Sequence, residues 1–302
     1  VSFALLKDFG KIVQDYDLIH YHFPWPFADL LNLLWRVDKP IIVTYHSDIV
    51  KQKSLIGLYK PLMHNFLRSA KCIVATSENY LDSSPVLQKY KDKVRVIPIG
   101  INFADYVKPS QDRLAYWYKK FGDRFFFFVG VMRYYKGLNI LLEAVRGTDF
   151  PLVIAGSGPI ENELKKYVTT YNLTNVHFVG EVSEEDKSAL FQLCLSLVFP
   201  SNLRSEAFGI SLLEGAMFGK PLISTELGTG TSFVNKDGET GIVVPPDDVN
   251  ALRVAMFDIW EDTRDNQNFG KNSYQRYQDL FTATQMAASY VRLYQETMLQ
   301  IC

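Results

Sequence analysis

Two glutamates, Glu206 and Glu214, flank the start of a predicted helix in the segment RSEAFGISLLEGAMFGKP. The preceding run LSLVFPS is typical of a buried strand, so the segment is predicted to lead from a strand through a polar loop into the helix. The first backbone amides of a helix have no partner within it and attract anions. Phe208, Gly209 and Ile210 would carry those amides. The spacing therefore predicts a site where an anionic ligand meets two carboxylates.

Each glutamate also has an ordinary structural interpretation. An acid such as Glu206 just before a helix stabilises the positive end of the helix dipole. Glu214 can be a polar residue on the exposed edge of the helix. This second interpretation is the weaker one, because the helix carries almost no other charge and an unpaired buried carboxylate is costly. Together the two residues favour a ligand site on the helix face that Glu214 shares with Ser211.

Two cations follow an earlier predicted strand in the segment RFFFFVGVMRYYKGLNILLEAV. Arg133 and Lys136 precede a helix that is predicted to begin near Gly137. An arginine fork, a lysine charge and a helix N-terminus at one place suit a diphosphate. The alternative is a pair of solvated basic residues on a loop. The glycine turn GSGP at residues 156–159 is more typical of a strand-to-helix connection than of a ligand site.

Three histidines lie near the ends of two further predicted strands. His20 and His22 alternate with Tyr21 in a strand, so their side chains are predicted to lie on the same side of the sheet. His46 follows the next strand. No accompanying residues support a metal site here, and no metal is predicted anywhere in the chain. A buried structural histidine is the ordinary alternative for His22.

The composition describes a globular protein. Hydrophobic residues make up 47% of the 302 residues and charged residues 22%, and no apolar run reaches the roughly 18 to 20 residues of a membrane span. Cys72, Cys194 and Cys302 lie far apart without metal-ligand spacing, which predicts a reducing cytoplasmic location. The first residue is not methionine and the opening reads like the middle of a domain, so we expect the first strands to be missing.

Lysine and arginine exceed aspartate and glutamate in the first 110 residues, and the acids exceed them in the remainder. The basic segment 51–71 contains no acid and is predicted to contact an anionic membrane surface, although an ordinary amphipathic helix with solvated lysines is the alternative. Nucleic acid is not predicted as a partner, since the overall charge is not basic and no reading motif is present.

Short apolar runs alternate with longer amphipathic stretches throughout the chain, which is typical of α/β proteins with parallel sheets. A segment without periodicity near residues 101–114 predicts a linker between two such units.

The segment SEAFGISLLEGAMFGKP resembles the E-x7-E element of retaining GT-B glycosyltransferases of family 4. The likeness extends along essentially the whole chain, through RYYKGLNILLEA, GSGP and FVGEV. IHYHFPWPFADLL and VTYHSDIVKQK resemble the mannosyl- and rhamnosyltransferases of bacterial lipopolysaccharide O-antigen synthesis.

This resemblance implies an α/β fold of the GT-B type, with two Rossmann-like domains facing a central cleft. Residues 1–107 would form an incomplete acceptor-binding domain, and residues 108–284 the domain that binds the nucleotide sugar. Residues 285–302 would form a helix that crosses back to the first domain.

The resemblance also implies a role for each candidate residue. The catalytic pair would be Glu206, facing the transferred sugar, and His46, beside the donor sugar. The remaining roles are diphosphate binding (Arg133, Lys136, Gly209 and Ile210), contact with the donor sugar and ribose (Phe208 and Glu214), contact with the nucleotide base (Glu181 and Val182), and contact with the acceptor (His22).

The activity implied is retaining transfer of a hexose to a lipid-linked saccharide, with no metal or other cofactor. The donor would be a GDP-sugar rather than a UDP-sugar, and the sugar mannose or a relative. The enzyme would be cytoplasmic, with peripheral contact at the inner face of the cytoplasmic membrane. Two alternatives remain open: a sugar-nucleotide epimerase of the same fold, and a non-catalytic module that binds sugar nucleotides.

Overall fold

The computed structural model describes residues 3–35, 37–49, 53–263 and 265–299. The chain divides into two compact units, one formed by Val1–Ile99 with Thr284–Cys302 and the other by Gly100–Ala283. The division therefore lies earlier than the sequence predicts. The reason is that Ile101 bridges Thr282 and its carbonyl accepts a hydrogen bond from the Tyr277 hydroxyl, which ties residues from Gly100 onward to the second unit.

The first unit contains a four-stranded parallel sheet with the strand order β1-β2-β3-β4. Side chains of β1 alternate between its two faces, so Tyr21 packs against Phe66 on one face while His20 points to the other. The strands are β1 (Ile19–Phe23), β2 (Ile41–Tyr45), β3 (Cys72–Ala75) and β4 (Val94–Val96). The helices are α1 (Phe3–Ile12), α2 (Pro26–Trp35), α3 (Lys53–Ser69) and α4 (Glu78–Ser83).

The second unit contains a six-stranded sheet, also parallel, with the order β10-β9-β8-β5-β6-β7. Both faces are covered, because Phe126 and Phe128 enter one apolar core while Phe127 packs against Phe191 on the other side. The strands are β5 (Phe126–Val129), β6 (Leu152–Ala155), β7 (Val176–Gly180), β8 (Ser196–Phe199), β9 (Leu222–Thr225) and β10 (Gly241–Val244). The helices are α5 (Gln111–Phe121), α6 (Leu138–Val145), α7 (Glu161–Thr170), α8 (Glu184–Leu193), α9 (Ile210–Met217), α10 (Gly230–Val234), α11 (Val249–Trp260) and α12 (Asn266–Leu280).

The last helix, α13 (Ala283–Leu299), packs on the sheet of the first unit. Its Leu293 joins a buried cluster with Ile42, Val74 and Ile97. The chain thus consists of two parallel-sheet, Rossmann-like units, as the sequence predicts. No helix within the described ranges is long and apolar enough to cross a membrane.

A buried carboxylate in the first unit makes stability depend on pH. Asp29 of α2 is 1% exposed and accepts a hydrogen bond from Tyr59 on one oxygen, while its other oxygen has no partner among the described residues. Burial raises the pKa of Asp29 to about 6. A carboxyl whose pKa is raised by folding favours the folded state most at low pH and loses that contribution as pH rises through about 6.

We therefore expect Asp29→Asn to increase the free energy of unfolding by about 1–2 kcal/mol at pH 8, with little gain near pH 4. Urea unfolding at both pH values measures the effect. The exposed Asp8 supplies the control variant Asp8→Asn, which should change neither value. An Asp29→Asn protein with the same pH dependence as the wild type would contradict the interpretation.

Candidate functional site

The start of α9 presents a row of unpaired backbone amides. Gly209 precedes the helix with a φ of 94°, and a Cβ at this position would lie 3.1 Å from Leu212 and 3.3 Å from Phe199. Within the described part of the chain, no acceptor bonds to the amides of Phe208, Gly209, Ile210 or Ser211. The glycine allows this sharp entry into the helix, and the entry leaves the amides available to an anion.

Lys136 and Glu206 form an ion pair at the ends of the neighbouring strands β5 and β8. The Lys136 Nζ lies 2.6 Å from the Glu206 Oε2, and each side chain is 12% exposed. The Ser201 hydroxyl donates to the same oxygen at 3.1 Å, and the lysine ammonium lies 4.7 Å from the centre of the Phe199 ring. Glu206 is therefore a partly buried counter-ion rather than a solvated acid at a helix end. A phosphate that binds Lys136 must share it with this carboxylate.

The Arg133 side chain is exposed, and its guanidinium makes no hydrogen bond or ion pair with any residue that the structure describes. The loop that carries it is nevertheless fixed. The Met132 amide donates to the Ser157 carbonyl at 2.8 Å, and the Lys136 amide donates to the Arg133 carbonyl at 2.9 Å. Gly137 closes the loop with a φ of 66°, where a Cβ would lie 1.9 Å from the Pro200 carbonyl oxygen. A fixed loop thus presents a free guanidinium.

The GSGP turn has a packing role. A Cβ on Gly156 would lie 2.2 Å from the Gly130 oxygen, and one on Gly158 would lie 2.5 Å from the Met132 oxygen. Both glycines therefore permit close contact with the loop that leads to Arg133. This geometry supports the structural interpretation of the turn. In the same region the Ser157 hydroxyl donates to Glu181 at 2.5 Å, which joins the ends of β6 and β7.

Glu214 is buried, and its carboxylate already has protein partners. The Lys187 Nζ lies 2.9 Å from its Oε1, and the Tyr106 hydroxyl donates to the same oxygen at 3.0 Å. The carboxylate is therefore satisfied in part without a ligand, because α8 and the segment after Ile101 bring two donors to it. The sequence holds one weak signal for Lys187, as the lone cation in the helix EEDKSALFQL. Tyr106 has none.

The structure also gives the surroundings of Ser211, Asp248 and Val182 in the second unit. Ser211 donates to the Val129 carbonyl at 2.9 Å, so its hydroxyl fastens α9 to β5. Asp248 caps α11 by accepting from the Ala251 amide at 2.9 Å. Val182 follows Glu181 after β7 and is half-buried.

In the first unit, β1 and β2 bring the three histidines together. His20 and His22 stack with ring centres 4.8 Å apart, which confirms that they share one side of the strand. The His22 Nδ1 lies 2.8 Å from the His46 Nε2, so a single proton joins these two rings. Burial, and then the charge of His22, lower the pKa of His46. The lowered pKa of His46 favours the neutral form of its ring, which hydrogen-bonds to His22.

His20 is held by residues that sequence reasoning missed. Its two ring nitrogens lie 2.7 Å from the Tyr294 hydroxyl and 2.8 Å from the Thr44 hydroxyl, and Tyr290 bonds to Thr44 at 2.7 Å. Burial, followed by the charges of His22 and His46, lowers the pKa of His20 to about 4. His20 is thus a neutral ring that two hydroxyl groups hold in place by hydrogen bonds. Across the described ranges, no group of three or more His, Cys, Asp and Glu side chains is placed to hold a metal ion.

The basic segment 51–71 lies partly outside the described residues, since residues 51 and 52 are not among them. In the second half of α3, Met63, Phe66 and Leu67 are buried, whereas Lys60 and Arg68 are exposed. Contact between this half and a membrane would therefore be electrostatic. Membrane contact stays a prediction.

Comparison with known proteins gives the family. The description "Glycosyl transferases group 1" matches residues 117–276, and "Glycosyltransferase Family 4" matches residues 1–105. The chain is 54% identical to the D-rhamnosyltransferase WbpZ of Pseudomonas aeruginosa, over 93% of this chain and 74% of that protein. It is 53% identical to the O-antigen chain mannosyltransferase C of Escherichia coli, over 97% of this chain and 79% of that protein.

Solved structures agree on the fold. Anabaena HepE in complex with UDP superposes with a TM-score of 0.81 at 18% identity, covering 97% of this chain and 82% of that one. Sucrose-phosphate synthase from Thermosynechococcus elongatus superposes with a TM-score of 0.79 at 25% identity, covering 98% and 79%. The two Rossmann-like units are those of the GT-B fold, and the chain belongs to the group 1 glycosyltransferases.

Proposed function

We propose that the enzyme transfers mannose or a closely related hexose from a GDP-sugar to a lipid-linked saccharide during O-antigen synthesis, with retention of configuration. The observation that carries this proposal is the identity above 50% to a D-rhamnosyltransferase and an O-antigen chain mannosyltransferase. Since both relatives are transferases, neither an epimerase nor a binding module is favoured.

The second unit is the proposed donor site. Arg133, Lys136 and the free amides at the start of α9 would neutralise the diphosphate as the bond between it and the anomeric carbon breaks. The acceptor oxygen would bond to that carbon on the same face, and its proton would pass to a phosphate oxygen. The positive character of the ring at this stage calls for a nearby carboxylate, and Glu206 would supply it. These groups balance the charges without a metal ion, so metal independence is part of the proposal.

The remaining contacts are proposed from the resemblance to the family. Glu214 would accept from the ribose hydroxyls, and Glu181 with Val182, at the end of β7, would border the base. The first unit would bind the acceptor, with His22 and His46 as the hydrogen-bonding pair offered to saccharide hydroxyls.

Calorimetric titration of GDP, GDP-mannose, UDP and UDP-glucose tests the donor assignment. We expect binding of both guanine nucleotides in the presence of EDTA, with an affinity that added Mg²⁺ leaves unchanged, and weaker binding of both uracil nucleotides. Tighter binding of UDP, or binding that requires Mg²⁺, would refute the assigned donor or the metal-independent mechanism respectively.

A further inference from the structure

A cluster of three mutually contacting side chains lies in the second unit and consists of Glu214, Lys187 and Tyr106. The Glu214 side chain is 8% exposed and that of Lys187 17% exposed. Besides the two bonds to Oε1, the Lys187 ammonium lies 5.0 Å from the centre of the Tyr106 ring. Each residue thus contacts both others, although they come from α9, α8 and the segment that follows Ile101.

The two partners of Glu214 keep their protons. Burial lowers the pKa of Lys187, but its bonds to Glu184 and Glu214 outweigh burial, so the pKa lies above its ordinary value. Burial, and then the negative charge of Glu214, raise the pKa of the Tyr106 phenol well above its usual range. An ammonium and a phenol that stay protonated are hydrogen-bond donors, and both donate to Oε1 of Glu214.

Both donors bond to one oxygen of the carboxylate. Within the described part of the chain, Glu214 Oε2 receives no hydrogen bond. A carboxylate with two oxygens has about four acceptor positions, so the arrangement leaves both acceptor positions of Oε2 unused. Two fixed donors on Oε1 also restrict rotation of the carboxylate, which keeps Oε2 pointing in one direction.

We propose that Lys187 and Tyr106 are positioning residues, which hold the Glu214 carboxylate oriented so that Oε2 accepts from the ribose hydroxyls of the donor nucleotide. This inference rests on the proposed function, in which the second unit binds a nucleotide sugar. A free carboxylate in this buried position would otherwise be costly and free to rotate. The cluster therefore makes the site selective for nucleotides that carry both ribose hydroxyls.

Paired ligands test the proposal. The affinities of GDP and 2′,3′-dideoxy-GDP are measured calorimetrically, with UDP and its dideoxy analogue in parallel and inorganic pyrophosphate as a probe without ribose. In the wild type we expect the ribonucleotide to bind roughly 10- to 100-fold more tightly than its dideoxy analogue, as for a hydrogen bond to a charged group. In Lys187→Met and Tyr106→Phe this ratio should fall towards 1, while the affinity for pyrophosphate stays unchanged.

Two further variants sharpen the test. Glu184 is the other ion-pair partner of Lys187, and its side chain is 61% exposed. Glu184→Gln removes this ion pair and should leave the affinity ratio at its wild-type value. Lys187→Arg, which keeps the charge, should restore most of the ratio. If Lys187→Met does not fold, Tyr106→Phe carries the test, because it removes one hydroxyl only.

The outcomes distinguish failure of the donor site from failure of the positioning role alone. If neither GDP nor UDP binds the wild type, the proposed function fails and this inference fails with it. If a nucleotide binds but its dideoxy analogue binds equally well, the ribose contact is wrong while the donor site stands. If both variants show the same affinity ratio between the ribonucleotide and its dideoxy analogue as the wild type, Lys187 and Tyr106 have a structural role only and the inference is overturned.

Discussion

A Glu206→Gln variant should lose roughly 10²- to 10³-fold in the rate of sugar transfer while it binds GDP at least as tightly as the wild type. The loss is expected because the neutral amide cannot balance the positive charge that develops on the sugar ring. Retained or tighter binding is expected because Glu206 and the diphosphate compete for Lys136, whose ammonium lies 2.6 Å from the carboxylate. Opposite effects on transfer and binding distinguish this residue from one that only stabilises the fold.

Transfer of mannose from labelled GDP-mannose to a lipid-linked saccharide gives the rate, and calorimetry gives the affinity for GDP. Glu226→Gln is the matched control, since Glu226 is an exposed acid of the same unit that accepts from the Gly228 amide. It should change neither quantity. Full transfer activity in Glu206→Gln would remove Glu206 from the mechanism, and a large loss of GDP affinity would show that the carboxylate does not compete with the diphosphate.

Arg133→Ala should weaken GDP binding by roughly 10- to 100-fold, as expected for loss of a charge-assisted hydrogen bond to phosphate. The stability of the protein should not change, because the Arg133 side chain is exposed and its guanidinium makes no hydrogen bond or ion pair with the described residues. Lys136→Ala would not separate an effect on binding from an effect on stability in this way, since it also leaves Glu206 without its counter-ion.

Calorimetry with GDP and thermal melting of the free protein measure the two effects. Arg146→Ala is the control, because Arg146 follows the C-terminus of α6 and pairs with Glu143, away from the strand ends that carry Arg133. The affinity difference between wild type and Arg133→Ala should shrink as salt is added. An unaltered affinity would make Arg133 an ordinary solvated loop residue.

Local patterns in the sequence were sufficient for much of the fold and for part of the site. Alternation of apolar runs with amphipathic stretches predicts parallel strands joined by helices, and both sheets are parallel. A period of two places His20 and His22 on one side of β1. The aspartate before α11 caps that helix through a bond to an amide three residues later. Each of these features depends on residues close together in the chain, so propensity and periodicity reveal them.

The partners of the charged groups were decided only by the tertiary structure. Lys136 and Glu206 meet because β5 and β8 are neighbours in the sheet, although two strands, β6 and β7, and three helices, α6, α7 and α8, lie between β5 and β8 in the sequence. Tyr106 bonds to Glu214 although the two residues are 108 positions apart in the sequence, and Tyr294 of α13 bonds to His20 across 274 positions.

The physical reason is that ion pairs and hydrogen bonds are short-range contacts with exact geometric needs, whereas a sequence specifies residue types and their local spacing. Which strand ends become neighbours depends on the order of the sheet, and that order follows from packing of the whole unit. The sequence by itself thus predicted a carboxylate at Glu214 in need of donors. Only the fold decided that Lys187 and Tyr106 are those donors.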